Sequence, residues 1–213
     1  MDTVVDARPG HEQPDRNLAN VLSKYFPDNY AGTMLEVGAA HPEAISVSFP
    51  FRGFGWKIMS VEPIPEFCDE YRKRGFQILQ YAACSEDKGV TTFKVSPNRV
   101  CSSSLEIKKE ASDVHFKAFG WTDAHFQTIQ VQALTLNTIL KNHHPEVDHI
   151  DLLIVDTEGW EMEVMQGFNL PFYNPKVVCL ENVFAFPTYD KYMEGYGYKV
   201  DDQEKQDVIY LKS

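Results

Sequence analysis

The segment Asp151-Leu152-Leu153-Ile154-Val155-Asp156-Thr157-Glu158-Gly159-Trp160-Glu161 joins an uninterrupted apolar run to a polar turn that contains a glycine. A short apolar run that ends at turn residues is typical of a strand buried on both faces of a parallel sheet. Four other segments share this pattern: Thr33–Val37, Lys57–Val61, Phe76–Gln80 and Val177–Leu180. The five runs together predict five parallel strands.

The segments between these runs have the pattern of helices. Apolar side chains recur at helical spacing from Leu18 to Phe26, before Pro27 ends the pattern. The segment Pro65–Arg74 is amphipathic and connects the second run to the third, as a crossover helix in a parallel sheet does. This alternation predicts an α/β, Rossmann-like fold with a mostly parallel sheet and helices on both faces.

Two regions do not follow this alternation of buried strands and helices. Thr91–Val95 and Thr128–Gln132 alternate apolar and polar residues with a period of two, which predicts a hairpin and cap inserted at about residues 90–132. Near the C-terminus, Tyr196–Val200 and Asp207–Leu211 flank an acidic turn and predict an antiparallel edge of the sheet. With the five parallel runs, the predicted sheet has seven strands.

Length and composition restrict the classes of protein. The 213 residues, 43% of them hydrophobic, predict one domain over 17–213 that follows a flexible tail at 1–16. A net charge of −11 argues against nucleic acid as a partner. No apolar stretch reaches the roughly 18 residues of a membrane span. The four cysteines are widely spaced, which is typical of reduced thiols in a cytoplasmic protein. The sequence makes no prediction of the oligomeric state.

Acidic residues follow the first two strands, where an α/β sheet binds its ligands. The first strand leads into Glu36-Val37-Gly38-Ala39 and the second into Glu62-Pro63. A dinucleotide site would need a Gly-x-Gly-x-x-Gly turn with no negative charge beside the pyrophosphate. Glu36 suits the sulfonium and ammonium groups of S-adenosylmethionine, and Glu62 is placed to accept hydrogen bonds from both ribose hydroxyls. The pattern favours S-adenosylmethionine over NAD as the cofactor.

Oxygen-bearing side chains also follow the fourth and fifth strands. Asp156 follows one strand, and Glu181-Asn182 follows the next. These side chains predict a site for Mg²⁺ or Mn²⁺, since both ions prefer carboxylate and carbonyl oxygens. The alternative is that Asp156 and Glu158 only complement the dipole of the helix that follows them.

The sequence from about Met34 to Tyr210 resembles the FkbM family of methyltransferases, which have the class I S-adenosylmethionine-dependent fold. The matching segments are Leu35–Ala39, Val61–Pro63, Ser103–Leu105, Ala133–Leu136, Asp151–Gly167, Glu181 and Gly197-Tyr198. The most specific of them is the Asp-x-Glu-Gly-x-Glu core at residues 156–161, with its trailing Gly167. The resemblance implies transfer of a methyl group to a hydroxyl, commonly that of a sugar or glycan.

The resemblance also implies contacts with the cofactor. It places Glu36, Gly38 and Ala39 near the methionine part and Glu62 on the ribose. Ala82 and Ala83 fall where the adenine edge usually rests, and Pro63 and Asp156 are the other expected contacts with the cofactor. Many members carry a second glycine in the first loop, where this chain has Ala40-His41-Pro42.

An acceptor hydroxyl must lose its proton during transfer, and three residues are candidates for the base. Asp156 and Glu158 are the nearest by position in the sequence, and His41 beside the first loop is the third. A histidine that is exposed or hydrogen-bonded elsewhere is the alternative reading of His41.

The inserted region supplies candidate contacts for the acceptor. Ser103 and Ser104 could bond it, or could bond the backbone of their own turn. Trp121 lies in an aromatic segment at 115–126 that could cover a sugar or fill the core. Two other functions stay open at this point: methylation of another small-molecule oxygen or nitrogen, and a catalytically silent cofactor-binding module.

Overall fold

The computed structural model describes residues 16–101, 103–109 and 116–213. Apart from the backbone of Arg16, the tail predicted over 1–16 lies outside the described residues, as do Ser102 and the first residue of the 115–126 segment.

The helices and strands alternate along most of the chain. The strands are β1 (Thr33–Val37), β2 (Lys57–Val61), β3 (Ala82–Ala83), β4 (Gly89–Val95), β5 (Gln127–Leu134), β6 (Leu152–Val155), β7 (Val177–Glu181), β8 (Tyr198–Glu204) and β9 (Asp207–Lys212). The helices are α1 (Arg16–Ser23), α2 (Phe49–Arg52), α3 (Pro65–Lys73), α4 (Lys117–Phe119), α5 (Leu136–His143), α6 (Glu161–Gln166), α7 (Leu170–Tyr173) and α8 (Thr188–Gly195). None of the described helices is both long and apolar enough to cross a membrane.

The main sheet has the strand order β2-β1-β6-β7-β9-β8. Its first four strands are parallel, and β9 and β8 are antiparallel, so the predicted antiparallel C-terminal edge is confirmed. The parallel part of the sheet is buried on both faces. Leu35 and Leu153 point into one hydrophobic layer, and their neighbours Met34 and Leu152 point into the other. This double burial is the physical reason for the uninterrupted apolar runs.

A second sheet has the order β3-β5-β4. Strands β4 and β5 pair antiparallel, with Thr91 opposite Val131, which confirms the predicted hairpin. Strand β3 pairs parallel with the other edge of β5 through Ala82 and Ala83.

The third predicted strand, Phe76–Gln80, forms only a single bridge. Leu79 pairs with Val61, donating its N–H to the Ser60 carbonyl and accepting from the N–H of Glu62. Beyond Leu79 the chain turns away, because Ala82-Ala83 pair with β5 in the second sheet. The main sheet of the described residues therefore has six strands instead of the seven predicted.

Candidate functional site

A cavity lies at the carboxyl ends of β1, β2 and β6, the position where open α/β sheets bind ligands. Most of the site residues expected from the sequence form its wall: Glu36, Gly38, Ala39, Glu62, Pro63, Ala82, Ala83, Ser103, Ser104, Asp156 and Glu158. The sequence thus located the wall of this cavity, although the contacts of several side chains differ from those expected.

Gly38 allows the loop after β1 to lie directly against the end of β6. Its φ is +79°, and a Cβ atom at this position would be 1.7 Å from the carbonyl oxygen of Asp156. The N–H groups of Gly38 and Ala39 both donate to the carbonyl of Val61, at 3.0 and 3.2 Å. The turn is held by backbone on both sides, which leaves no space for a side chain.

Glu62 follows β2 and is only 4% exposed. Its Oε2 accepts from the N–H of Ala40 at 2.9 Å, and its Oε1 accepts from the N–H of Ile64 at 2.8 Å. Burial, together with the charges of Asp156 and Glu36, raises the pKa of this carboxyl to about 7, although the two backbone hydrogen bonds act in the opposite direction. Each carboxylate oxygen keeps a second lone pair for another donor.

The carboxylate of Glu36, which was expected near the methionine part of the cofactor, accepts hydrogen bonds from within the protein. Its Oε1 accepts from the N–H of Ser48 at 3.1 Å, and its Oε2 accepts from the hydroxyls of Ser48 and Ser60 at 2.6 and 3.3 Å. Burial raises its pKa, which these hydrogen bonds and the nearby Arg52 oppose. Although Glu36 borders the cavity, its carboxylate is bonded within the protein and fixes the segment before α2.

Three carboxylates meet at the ends of β6 and β7. Asp156, Glu158 and Glu181 each place an oxygen within 4.8 Å of the other two. Asp156 is exposed, Glu158 is half-buried and Glu181 is only 6% exposed. Burial raises the pKa of Glu181 well above its usual range, and the charges of Asp156 and Glu158 act in the same direction.

Glu161 organises the loop that carries Glu158, a role that the sequence reading missed. Its Oε1 accepts from the N–H of Thr157 at 2.8 Å and from the N–H of Gly159 at 3.0 Å, and its Oε2 accepts from the Tyr189 hydroxyl at 2.6 Å. The loop winds around this buried carboxylate, with Glu158 and Gly159 at positive φ. Glu161 is the third acid of the Asp-x-Glu-Gly-x-Glu core, and its place in this motif was the one feature of the sequence that could have indicated this role.

Replacing Glu161 by Ala is expected to lower the free energy of unfolding by about 3 kcal/mol, because two buried N–H groups and a tyrosine hydroxyl lose their acceptor. Urea unfolding measures the change. Tyr189→Phe is the matched control, since it removes one of these hydrogen bonds and is expected to cost about 1 kcal/mol. Equal stabilities of Glu161→Ala and the wild type would contradict this role.

Three predicted site residues lie elsewhere or are bonded elsewhere. Asn182 uses its amide within its own loop, where Oδ1 accepts from the N–H of Phe186 at 2.8 Å and Nδ2 donates to the Phe186 carbonyl. The third oxygen near Asp156 and Glu181 therefore comes from Glu158, a sequence neighbour that was expected only as a base.

His41 and Trp121 are not among the described residues that line the cavity. The Nδ1 atom of His41 accepts from the N–H groups of Glu43 and Ala44, so this ring caps its own loop. Burial and the charge of Arg74 lower its pKa. Trp121 is half-buried and stacks on Phe119 in its own segment, with ring centroids 4.5 Å apart.

A strap at residues 103–108 closes one side of the cavity. Lys108 donates to the carbonyl of Gly159 at 2.6 Å and to Glu163 at 2.7 Å, and Trp160 donates its indole N–H to the carbonyl of Glu106. The hydroxyls of Ser103 and Ser104 bond within the same region, to Ser96 and to the Glu106 carbonyl. These two hydroxyls fit the turn alternative, although both residues remain in the wall.

The fold of this chain is similar to that of a solved structure. The structure is similar to that of methyltransferase FkbM from Methylobacillus flagellatus KT, with a TM-score of 0.53 and 12% identity over 95% of this chain and 49% of that one. This chain thus spans about half the length of that protein. Precorrin-6y C5,15-methyltransferase from Geobacter metallireducens GS-15 aligns over the whole of both chains, with a TM-score of 0.47 and 12% identity. No curated protein matches the sequence.

The family comparison covers most of the chain. Residues 36–200 match the sequence profile of the Methyltransferase FkbM domain. This range includes the cavity wall from Glu36 to Glu158, the buried Glu161 and the acid at the end of β7. The chain therefore belongs to the FkbM family of methyltransferases.

Proposed function

We propose that this protein transfers a methyl group from S-adenosylmethionine to a hydroxyl group, and that the acceptor is a sugar or glycan. The observation that carries the cofactor proposal is Glu62, a buried carboxylate in the cavity wall at the end of β2. Membership of the FkbM family supports methyl transfer. The choice of a sugar hydroxyl rests on the family resemblance of the sequence.

The residues of the cavity fit the proposed cofactor. Glu62 has one free lone pair on each oxygen beyond its two backbone hydrogen bonds, which suits a pair of ribose hydroxyls. Ala82 and Ala83 offer a small, apolar wall for a purine ring. The close turn at Gly38 brings backbone to the position where the amino-acid part would lie. When bound, the cofactor supplies an electrophilic methyl group.

The chain itself must hold the acceptor in line with that methyl group and accept its proton. Alignment at about 3 to 3.5 Å accounts for much of the rate in a displacement of this type. Asp156 and Glu158 are the proposed bases, since both lie in the cavity wall and Asp156 is exposed to an incoming hydroxyl. A divalent cation, Mg²⁺ or Mn²⁺, is the second component that we propose, because it would lower the pKa of the acceptor hydroxyl.

Binding of S-adenosylhomocysteine is the first test of this proposal. A ligand that binds only the native state raises its melting temperature, so S-adenosylhomocysteine should do so in a dose-dependent manner. NADH is the matched control, because it carries an adenosine but also the pyrophosphate that the first loop disfavours. A shift with NADH and none with S-adenosylhomocysteine would contradict the proposed cofactor.

Methyl release from labelled S-adenosylmethionine then tests the acceptor. A panel of mono- and oligosaccharides should support turnover, and catechols and primary amines serve as the contrasting acceptors. Turnover with only the contrasting acceptors would support methyltransferase activity and contradict the proposal that the acceptor is a sugar. Cofactor binding without turnover on any acceptor would favour a silent cofactor-binding module.

A further inference from the structure

The three carboxylates at the ends of β6 and β7 belong to different parts of the chain. Asp156 follows β6 directly, Glu158 lies in the loop that Glu161 holds, and Glu181 is the last residue of β7. Tertiary structure alone brings an oxygen of each within 4.8 Å of the others. Like charges at this distance repel each other unless a proton or a cation lies between them.

Glu181 provides a second and independent observation. Glu181 is 6% exposed, and its Oε2 atom is buried with no hydrogen-bond donor in bonding geometry among the described residues. Its Oε1 atom receives one long bond, 3.3 Å, from the side chain of Gln206. A buried carboxylate oxygen without a donor is costly, because it has lost water and gained no replacement. A ligand that coordinates this oxygen would remove that cost.

The helix-dipole alternative does not account for this arrangement. Helix α6 begins at Glu161 and has only six residues, so its dipole is small. Glu181 lies on β7 and is not part of the first turn of that helix. The carboxylate of Glu161, which is part of that turn, already accepts the N–H groups of Thr157 and Gly159. The dipole therefore explains neither the position of Glu181 nor its unbonded oxygen.

We infer that Asp156, Glu158 and Glu181 form a binding site for a hard divalent cation, Mg²⁺ or Mn²⁺. Carboxylate oxygens are the ligands that these ions prefer, and three of them leave coordination positions for water or a substrate oxygen. Ion-to-oxygen distances are about 2.1 Å for Mg²⁺, so two oxygens bound to one ion lie at most about 4.2 Å apart. The three oxygens of the cluster lie within 4.8 Å of one another, so small side-chain rotations are enough to bring them onto one ion.

The ligand set differs from the one that the sequence predicted. Asn182 is replaced by Glu158, because the amide of Asn182 bonds to the backbone of Phe186. The site then carries three negative charges instead of two. Two of its three ligands, Asp156 and Glu158, also form the wall of the cavity. This role rests on the proposed function: a cation held by Asp156 and Glu158 at the cavity wall would contact the acceptor hydroxyl.

Titration with Mn²⁺ tests the site without any need for turnover. Electron paramagnetic resonance measures free Mn²⁺ in the presence of the protein, and excess Mg²⁺ should displace the bound ion. The wild type is expected to bind one Mn²⁺ per chain. Asp156→Asn, Glu158→Gln and Glu181→Gln should each weaken binding by about tenfold or more, since each removes one charged ligand at nearly constant size. Glu194→Gln removes an exposed carboxylate elsewhere and should leave the affinity within about twofold.

S-adenosylhomocysteine binding is measured on the same samples, so failure of the site and failure of the proposed function are distinguishable. A cooperative urea-unfolding transition in each of the three variants shows that they are folded. Absence of Mn²⁺ binding to the wild type at millimolar concentration and pH 8 would overturn the inference and assign a shared proton to the cluster. Unchanged affinity in Glu158→Gln would overturn the ligand set.

Discussion

Replacing Gly38 by Ala is expected to abolish binding of S-adenosylhomocysteine and to lower the free energy of unfolding by more than about 3 kcal/mol. The added Cβ would lie 1.7 Å from the carbonyl oxygen of Asp156, a backbone atom that cannot rotate away. Either the loop after β1 or the end of β6 must move. Both segments form the cavity wall, so stability and ligand binding should fall together. Calorimetry with S-adenosylhomocysteine and urea unfolding measure the two effects.

Gly75→Ala is the matched control for this substitution. Gly75 has a φ of +71°, close to the +79° of Gly38, and a Cβ atom there would meet nothing within 4 Å. Gly75→Ala therefore has the conformational cost of an alanine at positive φ, about 1 to 2 kcal/mol, but no steric clash with the backbone. We expect Gly75→Ala to retain full binding. Equal effects of the two substitutions would show that the close approach at Gly38 is not what shapes the turn.

The sequence predicted the parallel strands well where burial on both faces determined the pattern. Thr33–Val37 and Lys57–Val61 have the predicted bounds, because every residue from the second onward is buried. Phe76–Gln80 failed because its residues are only partly buried, and a single bridge from Leu79 joins it to β2. The pairing of Ala82 and Ala83 with β5 depends on partners 51 residues away, which a local pattern does not reveal.

The positions of the candidate site residues were predictable, but their bonding was not. Glu62 and Asp156 follow strands, so their location at one edge of the sheet follows from topology alone. Whether an acid at such a position faces a ligand or bonds within the protein depends on distant partners. Glu36 bonds to Ser48 and Ser60, which are 12 and 24 residues away. Nothing in the sequence distinguishes these two serines from the serines that do not bond to Glu36.

The orientation of Glu158 shows a second reason why the contacts of the site residues could not be predicted from the sequence. Its φ of +57° is uncommon for a residue with a side chain, and hydrogen bonds from the loop to Glu161 hold the backbone in this conformation. Hydrophobic periodicity and secondary-structure propensity predict helices and strands, and neither predicts a turn with a positive φ. The Asp-x-Glu-Gly-x-Glu core marked the region, and only the folded loop showed that its second acid joins Glu181 while its third acid supports the loop.

Replacing Glu62 by Ala is expected to weaken binding of S-adenosylhomocysteine by about 100-fold or more, because two hydrogen bonds to a charged acceptor contribute about 1.5 to 3 kcal/mol each. Asp69→Ala is the matched control, since Asp69 is an exposed acid on α3 that bonds to Arg72 outside the cavity. It should bind as the wild type does. An affinity of Glu62→Ala within about threefold of the wild type would remove the ribose contact from the proposal.

The same carboxyl gives the binding a pH dependence of known sign. With a pKa of about 7 in the ligand-free protein, Glu62 is protonated below this pH and ionised above it. The ionised form accepts hydrogen bonds through both oxygens, so the wild-type affinity for S-adenosylhomocysteine should rise as the pH increases from 6 to 8. Because the folded pKa lies above the usual value of 4.5, this carboxyl lowers the stability of the ligand-free protein as the pH rises from about 4.5 to about 7, and the loss levels off above that pH. The melting-temperature shift on binding should therefore grow with pH in the wild type and stay nearly constant in Glu62→Ala. A shift that grows equally in both proteins would assign the pH dependence to another group.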